Sequence, residues 1–132
     1  MHTFEVRTSH PAEFREITHE VQALVGKDGI SSGYVIVYIP HTTAGITINE
    51  NADPTVKSDM LESLEKMVPW EQKHFRHSEG NSAAHIKASM MGFSVTVLIE
   101  AGELQLGTWQ GIYFCEFDGP RSRKVFVKII KE

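Results

Sequence analysis

Cysteine is almost missing from this chain. Cys115 is the only one in 132 residues, so no disulfide can form within it. Stability must come from an apolar core, and a chain this long buries roughly two-thirds of the surface it exposes when unfolded. A lone thiol fits a reducing compartment, which predicts a cytoplasmic protein. No apolar run approaches the length that spans a bilayer, and the opening Met-His-Thr-Phe-Glu-Val-Arg lacks the apolar core of a signal segment. Positive charge is not in excess: 13 Lys and Arg stand against 17 Asp and Glu, for a net charge of −4 with the signs mixed. There is neither a basic stripe to grip nucleic acid nor a basic amphipathic helix to lie on a membrane, so neither partner is expected. Repeats, linkers and low-complexity stretches are also missing, which predicts one domain over residues 1–132.

Periodic apolar sequence, by contrast, is plentiful. Thr3 to Thr8 alternates, with Phe4 and Val6 facing one way and Glu5 and Arg7 the other, as in a half-buried strand. Pro11 is expected to open a helix with Phe14, Ile17, Val21, Leu24 and Val25 on one face, stopped by Lys27-Asp28-Gly29. Ser32 to Ile39 is apolar on both faces, which predicts a central strand covered on both sides. Pro40 ends it, and Ile46 to Glu50 alternates as another strand. Asp53 as cap and Pro54 as first residue open the next helix, whose stripe of Val56, Met60, Leu61, Leu64, Met67 and Val68 belongs to the core. Trp70 to Arg76 reads as a loop, and a short helix capped by Ser82 ends by Gly92. Phe93–Ile99, Gln110–Phe117 and Lys124–Ile130 read as further strands, with Asp118-Gly119-Pro120-Arg121 turning between the last two. This order predicts a single α+β domain: a mainly antiparallel sheet or sandwich with two longer helices and one short one. The last strand is partly apolar on both faces, as expected if a helix or a neighbouring subunit covers the outer one.

Chemistry-bearing residues gather in two polar stretches, His41 to Asp53 and His77 to Ser89. His41 lies where an apolar strand breaks, beside two threonines and a glycine. His77, Glu79, Asn81, Ser82, His85 and Lys87 crowd the second stretch, with one large apolar residue, Ile86, among them. If a helix starts at Ser82, His85 sits in its first turn, where a partial positive charge of roughly half an electron disfavours the imidazolium. A neutral ring there suits a metal or a hydrogen bond to an anion. His41, His77 and His85 together would leave an open position on a divalent ion, with zinc, nickel or iron better suited than magnesium to imidazole. No paired motif such as H-E-x-x-H shows that they converge, and the bland alternative is three local hydrogen bonds. Glu50 is a candidate proton acceptor or ligand-orienting group, Asp53 reads better as a cap, and Glu79 as loop surface. Lys87, Arg121 and Arg123 are candidates for phosphate, with donors added by Asn81, Ser82 and the helix-start amides. In Gly107-Thr108-Trp109-Gln110-Gly111 the glycines would let backbone approach a ligand, with Thr108 and Gln110 on one side of a regular strand. Cys115 falls inside an apolar strand and reads as core; His10 and His19 read as surface.

Three long motifs then become recognisable. His-Thr-Thr-Ala-Gly-Ile-Thr-Ile-Asn-Glu-Asn-Ala-Asp-Pro from His41, Glu-Gly-Asn-Ser-Ala-Ala-His-Ile-Lys-Ala-Ser from Glu79 and Gly-Thr-Trp-Gln-Gly-Ile-Tyr from Gly107 resemble the YjbQ family over almost the whole chain. The resemblance implies an α+β homotrimer with a metal or anion bound among histidines, at positions matching His41, His77 and His85. It also implies the activity of a secondary thiamine-phosphate synthase. That reaction joins a pyrimidine diphosphate to a thiazole phosphate and releases diphosphate. Phe117 departs from the pattern, since some relatives carry histidine there. The expected mechanism has a divalent ion, zinc or similar, with magnesium admissible alongside diphosphate. His41, Glu50 and His85 would be catalytic, and Asn81, Ser82, Lys87, Thr108, Gln110 and Arg121 would bind the phosphorylated metabolite. The alternatives are a binding module without turnover and a purely structural oligomer.

Overall fold

The computed structural model describes all 132 residues. Eight strands and three helices follow in the order β1 (His2–Arg7), β2 (Glu13–Glu16), α1 (Thr18–Asp28), β3 (Gly33–Tyr38), β4 (Ala44–Glu50), α2 (Pro54–Met67), α3 (Ser82–Met91), β5 (Ser94–Glu100), β6 (Glu103–Leu104), β7 (Gln110–Glu116) and β8 (Ser122–Lys131). Every strand pairing is antiparallel. One sheet runs β1-β8-β3-β5-β6 and the other β2-β7-β4. The expected α+β class, mainly antiparallel in a single domain, is what the chain forms.

Two cores explain the layering. The larger lies between the sheets and joins Val35 and Val37 of β3, Val97 and Ile99 of β5, Val125 and Val127 of β8, Ile46 of β4 and Ile112 and Phe114 of β7. Ile17, Val21 and Val25 close one side of it with the apolar face of α1. The smaller core lies on the far side of the three-stranded sheet, where α2 and α3 bring Leu64, Ala84 and Ala88 against Phe14, Tyr113, Cys115 and Phe117. Strand β7 therefore alternates between two interiors, and its apolar residues from Ile112 to Cys115 are all buried. Each such burial stabilises by about 1.5–3 kcal/mol.

Helix α3 reaches the sheet through a glycine. A Cβ on Gly45 of β4 would lie 2.7 Å from the Gly92 carbonyl oxygen and 3.1 Å from that of Ala88, so only glycine allows this approach. At the other end of the sheet a Cβ on Gly111 would meet Glu16 and Asn51 at 2.6 and 2.9 Å. That glycine makes room for neighbours within the chain, not for a ligand.

Several local expectations change. Pro11 opens no helix; Glu13–Glu16 is a strand paired with Tyr113–Glu116, and α1 starts only at Thr18. Phe14 shares the spacing of Ile17 and Val21 but serves the smaller core, while they serve the larger. Strand β3 is central, yet the chain covers only one of its faces: Tyr34 and Tyr38 are 39% and 47% exposed. Ser82 is not a cap. Asn81 holds that position, and no side chain caps the helix. Asp53 does cap α2, accepting from the Thr55 amide at 2.9 Å, with Pro54 next in line.

Candidate functional site

The connection from β3 to β4, the end of β7, the start of β8 and the start of α3 all meet at one end of the sandwich. Between them lies a cavity of about 440 Å³ with eleven lining residues and no hydrophobic one. His41, Thr42 and Thr43 come from the β3–β4 connection, Arg121 and Arg123 from around the start of β8, Asp118 from the turn before it, and His77, Glu79, Asn81 and His85 from the α3 end. The three histidines separated in sequence therefore share one pocket. The rings of His77 and His85 approach edge to face, 5.4 Å between centroids.

Arg123 anchors the site from behind. Its position on β8 faces inward with Val125 and Val127, so a charged side chain there needs a partner. Glu116, wholly buried at the end of β7, supplies it. The Arg123 Nε donates to Glu116 Oε1 at 2.9 Å and Nη2 donates to Oε2. The same carboxylate accepts from Thr8 Oγ1 at 2.8 Å and from the Asp118 amide at 3.0 Å. Burial alone would raise the Glu116 pKa, but these four donors outweigh it and hold the group below its usual range. Arg123 Nη2 also donates to Thr43 Oγ1 at 2.9 Å. Its Nη1 makes no bond within the chain and remains for a guest in the cavity. Arg121 is held alike at the rim: Nε donates to the Asp118 carbonyl at 2.9 Å and Nη2 to Asp118 Oδ2 at 3.0 Å.

His41 has a defined tautomer. Its Nε2 lies 2.8 Å from the Lys124 amide and must accept from it, so a neutral ring carries its proton on Nδ1. Burial, and then the nearby Arg123 charge, lower its pKa and favour that neutral form. Nδ1–H is thus a fixed donor. The amides of Ser82 and Ala83 begin α3 without a side-chain cap, but neither residue lines the cavity.

No three His, Cys, Asp or Glu side chains are arranged to hold an ion. His41 is the obstacle to the expected three-imidazole cage, because its Nε2 lone pair is spent on Lys124. His77 and His85 alone could offer two ring nitrogens to one cation.

Other expected site residues lie elsewhere. Glu50 and Gln110 pair across β4 and β7 at the end opposite Ala44 and Glu116, roughly 20 Å along the strands from the cavity. There Glu50 accepts from the Asp53 amide, while Gln110 accepts from the Gly107 amide at 2.8 Å. Thr108 lies in the turn before β7, not in a strand facing with Gln110. Lys87 is buried and bonds Glu65 at 2.7 Å, so its ammonium is engaged outside the cavity. Ser82 is the first residue of α3 and does not line the cavity. Phe117 packs edge-on against Phe14 in the smaller core, ring centroids 6.3 Å apart. Cys115 is buried, and burial pushes its thiol pKa up. His10 is a surface residue bonded to Glu13. A second cavity, of about 470 Å³, includes Thr18, His19 and Gln22. Thr18 and Gln22 spend their polar atoms on the Ile112 and Leu104 amides.

Sequence reasoning passed over Glu116, Asp118 and Thr43. The alternation of β8 carried the signal, since it sets Arg123 among inward valines and so demands a buried acid nearby.

The whole architecture recurs in known proteins. The family described as UPF0047 protein YjbQ-like matches residues 2–132. The chain belongs to this family. UPF0047 protein YugU of Bacillus subtilis is 55% identical over 97% of this chain and 97% of its own. UPF0047 protein MJ1081 of Methanocaldococcus jannaschii is 48% identical over 96% of this chain and 91% of its own. A solved structure of an uncharacterised YjbQ/UPF0047-family protein from Clostridium acetobutylicum superposes with a TM-score of 0.96 at 56% identity, covering 98% of this chain and 100% of that one. A conserved hypothetical protein from Thermus thermophilus gives 0.92 at 41% identity, covering 98% of this chain and all of that one. No helix of this YjbQ-family chain is long and apolar enough to cross a membrane.

Proposed function

We propose that this YjbQ-family protein binds the phosphate end of a small phosphorylated metabolite in the cavity of His41, Arg121 and Arg123. One observation carries the reading: a cavity without a hydrophobic wall presents N–H donors of His41, Arg121 and Arg123 that have no partner in the chain, with Arg123 locked in place by Glu116. Donors that do not reorganise are what an oxyanion needs. Net charge does not do the work, because Glu79 and Asp118 balance the two arginines at the wall. Direction and preorganisation of the hydrogen bonds do.

That balance favours a second component. A divalent cation, zinc or similar, held by His77 and His85 would tip the cavity toward a multiply charged guest, and the proximity of those rings is the observation in its favour. When bound, such an ion would neutralise phosphate charge. The chain's own residues would orient the anion and stabilise diphosphate as it leaves. Thiamine phosphate formation suits this division: the thiazole nitrogen attacks the pyrimidine methylene, the C–O bond breaks, and diphosphate departs with the electron pair. A shallow groove with Tyr38 and Phe93 shares Pro40, His41 and Thr42 with the polar cavity, so a flat ring attached to the phosphate has a wall next door. The outward face of β3, β5 and β8, with Tyr34, Leu98 and Phe126, supports a homotrimer that would cover it.

Calorimetry with diphosphate, with and without zinc, tests the binding reading; a product assay with the two thiamine precursors tests turnover. Binding that needs His85 and zinc, with product formed, supports the enzyme. Binding without product supports a non-catalytic module. No binding of phosphate or diphosphate under any condition overturns both.

A further inference from the structure

One polar atom of a residue that lines the cavity is not explained by an anion. Asn81 is 8% exposed, and its Oδ1 is the only fully buried side-chain polar atom in the chain without a hydrogen-bond partner. Its orientation is fixed, because Nδ2 donates to Asp118 Oδ2 at 2.8 Å and that carboxylate cannot donate in return. Nor does Oδ1 cap α3, although Asn81 occupies the capping position. An acceptor buried and left unpaired is costly, and natural structures keep few of them. A phosphate oxygen cannot relieve it, since both atoms are acceptors. A hydroxyl can.

We infer that Asn81 reads a hydroxyl on the carbon skeleton of the bound phosphate ester, so the preferred guest is a hydroxylated phosphate monoester; the two thiamine precursors carry no free hydroxyl, and this inference therefore goes with the binding-module reading of the cavity. This rests on the phosphate reading of the cavity. On this inference the neighbouring turn, His77 to Gly80, which brings His77 and Glu79 to the cavity, shifts to admit the hydroxyl. That turn is exposed, makes no side-chain hydrogen bond, and is closed by one backbone bond from the Gly80 amide to the His77 carbonyl.

The test compares 2-hydroxyethyl phosphate with ethyl phosphate, two probes of equal charge and similar size, by calorimetry on the full chain. The pH is held above the second ionisation of phosphate, about 6, so that the phosphoryl group brings no proton of its own. The unmodified chain binds the hydroxylated probe roughly tenfold more tightly, the scale of satisfying one buried acceptor. In Asn81→Leu the preference falls to parity while ethyl phosphate still binds. Equal affinities in the unmodified chain overturn the inference and leave the phosphate reading standing, whereas no binding of either probe overturns both. A preference that survives in Asn81→Leu overturns the assignment to Asn81. If that variant fails to fold, the ratio in the unmodified chain decides alone.

Discussion

Replacing Glu116 by glutamine tests how the cavity is anchored. The change keeps the shape of the side chain and removes its charge. Glutamine offers one acceptor oxygen where the carboxylate accepts from Thr8, the Asp118 amide and two nitrogens of Arg123. Its NH₂ group would also face a guanidinium that is only 3% exposed. Removing one partner of a buried ion pair costs about 3–5 kcal/mol, because the remaining charge has neither water nor counter-ion. For a domain of this size that is a fall in Tm of roughly 10–20 °C. Thermal and urea unfolding followed by circular dichroism would measure it. The double variant Glu116→Leu, Arg123→Met removes both charges and should be more stable than Glu116→Gln alone, while losing phosphate binding. A loss below about 1 kcal/mol in Glu116→Gln, the range of exposed pairs, would refute the claim that this pair is buried and interdependent.

Acid should weaken the fold partly through His41. Burial, and then Arg123, hold its pKa below the ordinary value, so the unfolded chain takes up the proton first. The stability owed to the neutral ring is complete above about pH 6.5 and is lost as pH falls below it. Urea midpoints of the unmodified chain against His41→Gln across that range would show this slope only in the former. Gly45→Ala forces α3 away from β4 and should cost about 1–3 kcal/mol, read by urea unfolding, with weaker phosphate binding read by calorimetry. Lys87→Met should leave phosphate affinity within about twofold, since a residue outside the cavity contributes no contact there; a large loss would return Lys87 to the site. Native Cys115 should resist alkylation until the chain unfolds, as thiol labelling with and without urea would report.

The sequence revealed element types well where a single face is apolar. The Asp53-Pro54 start of α2 and the helical spacing behind it are examples, because both signals are local, although of the stripe expected in the core Met67 is 60% exposed and Val56 joins neither core. It misled at Pro11 to Ile17, where Phe14 continues a helical spacing yet belongs to a different core. Periodicity cannot tell which interior a residue faces when two exist. The cavity was legible as a set of histidines and arginines, but its distant pairings were not. Nothing local marks Lys87 as the partner of Glu65, or Glu50 as lying at the far end of its strand. The role of Glu116 follows only once β7 and β8 are placed side by side, for it depends on Arg123 pointing inward.

The contact at Gly45 sets how the pocket tolerates sequence drift. Strand and helix meet there through two carbonyl oxygens and the Met91 Cβ, so at that point the gap does not depend on how long the side chains are. Exchanges along the solvent side of α3, at Ile86 or Met90, leave that spacing alone. His85 therefore keeps its standoff from the β3–β4 connection while the helix surface is free to vary, and one residue without a side chain guards the dimension.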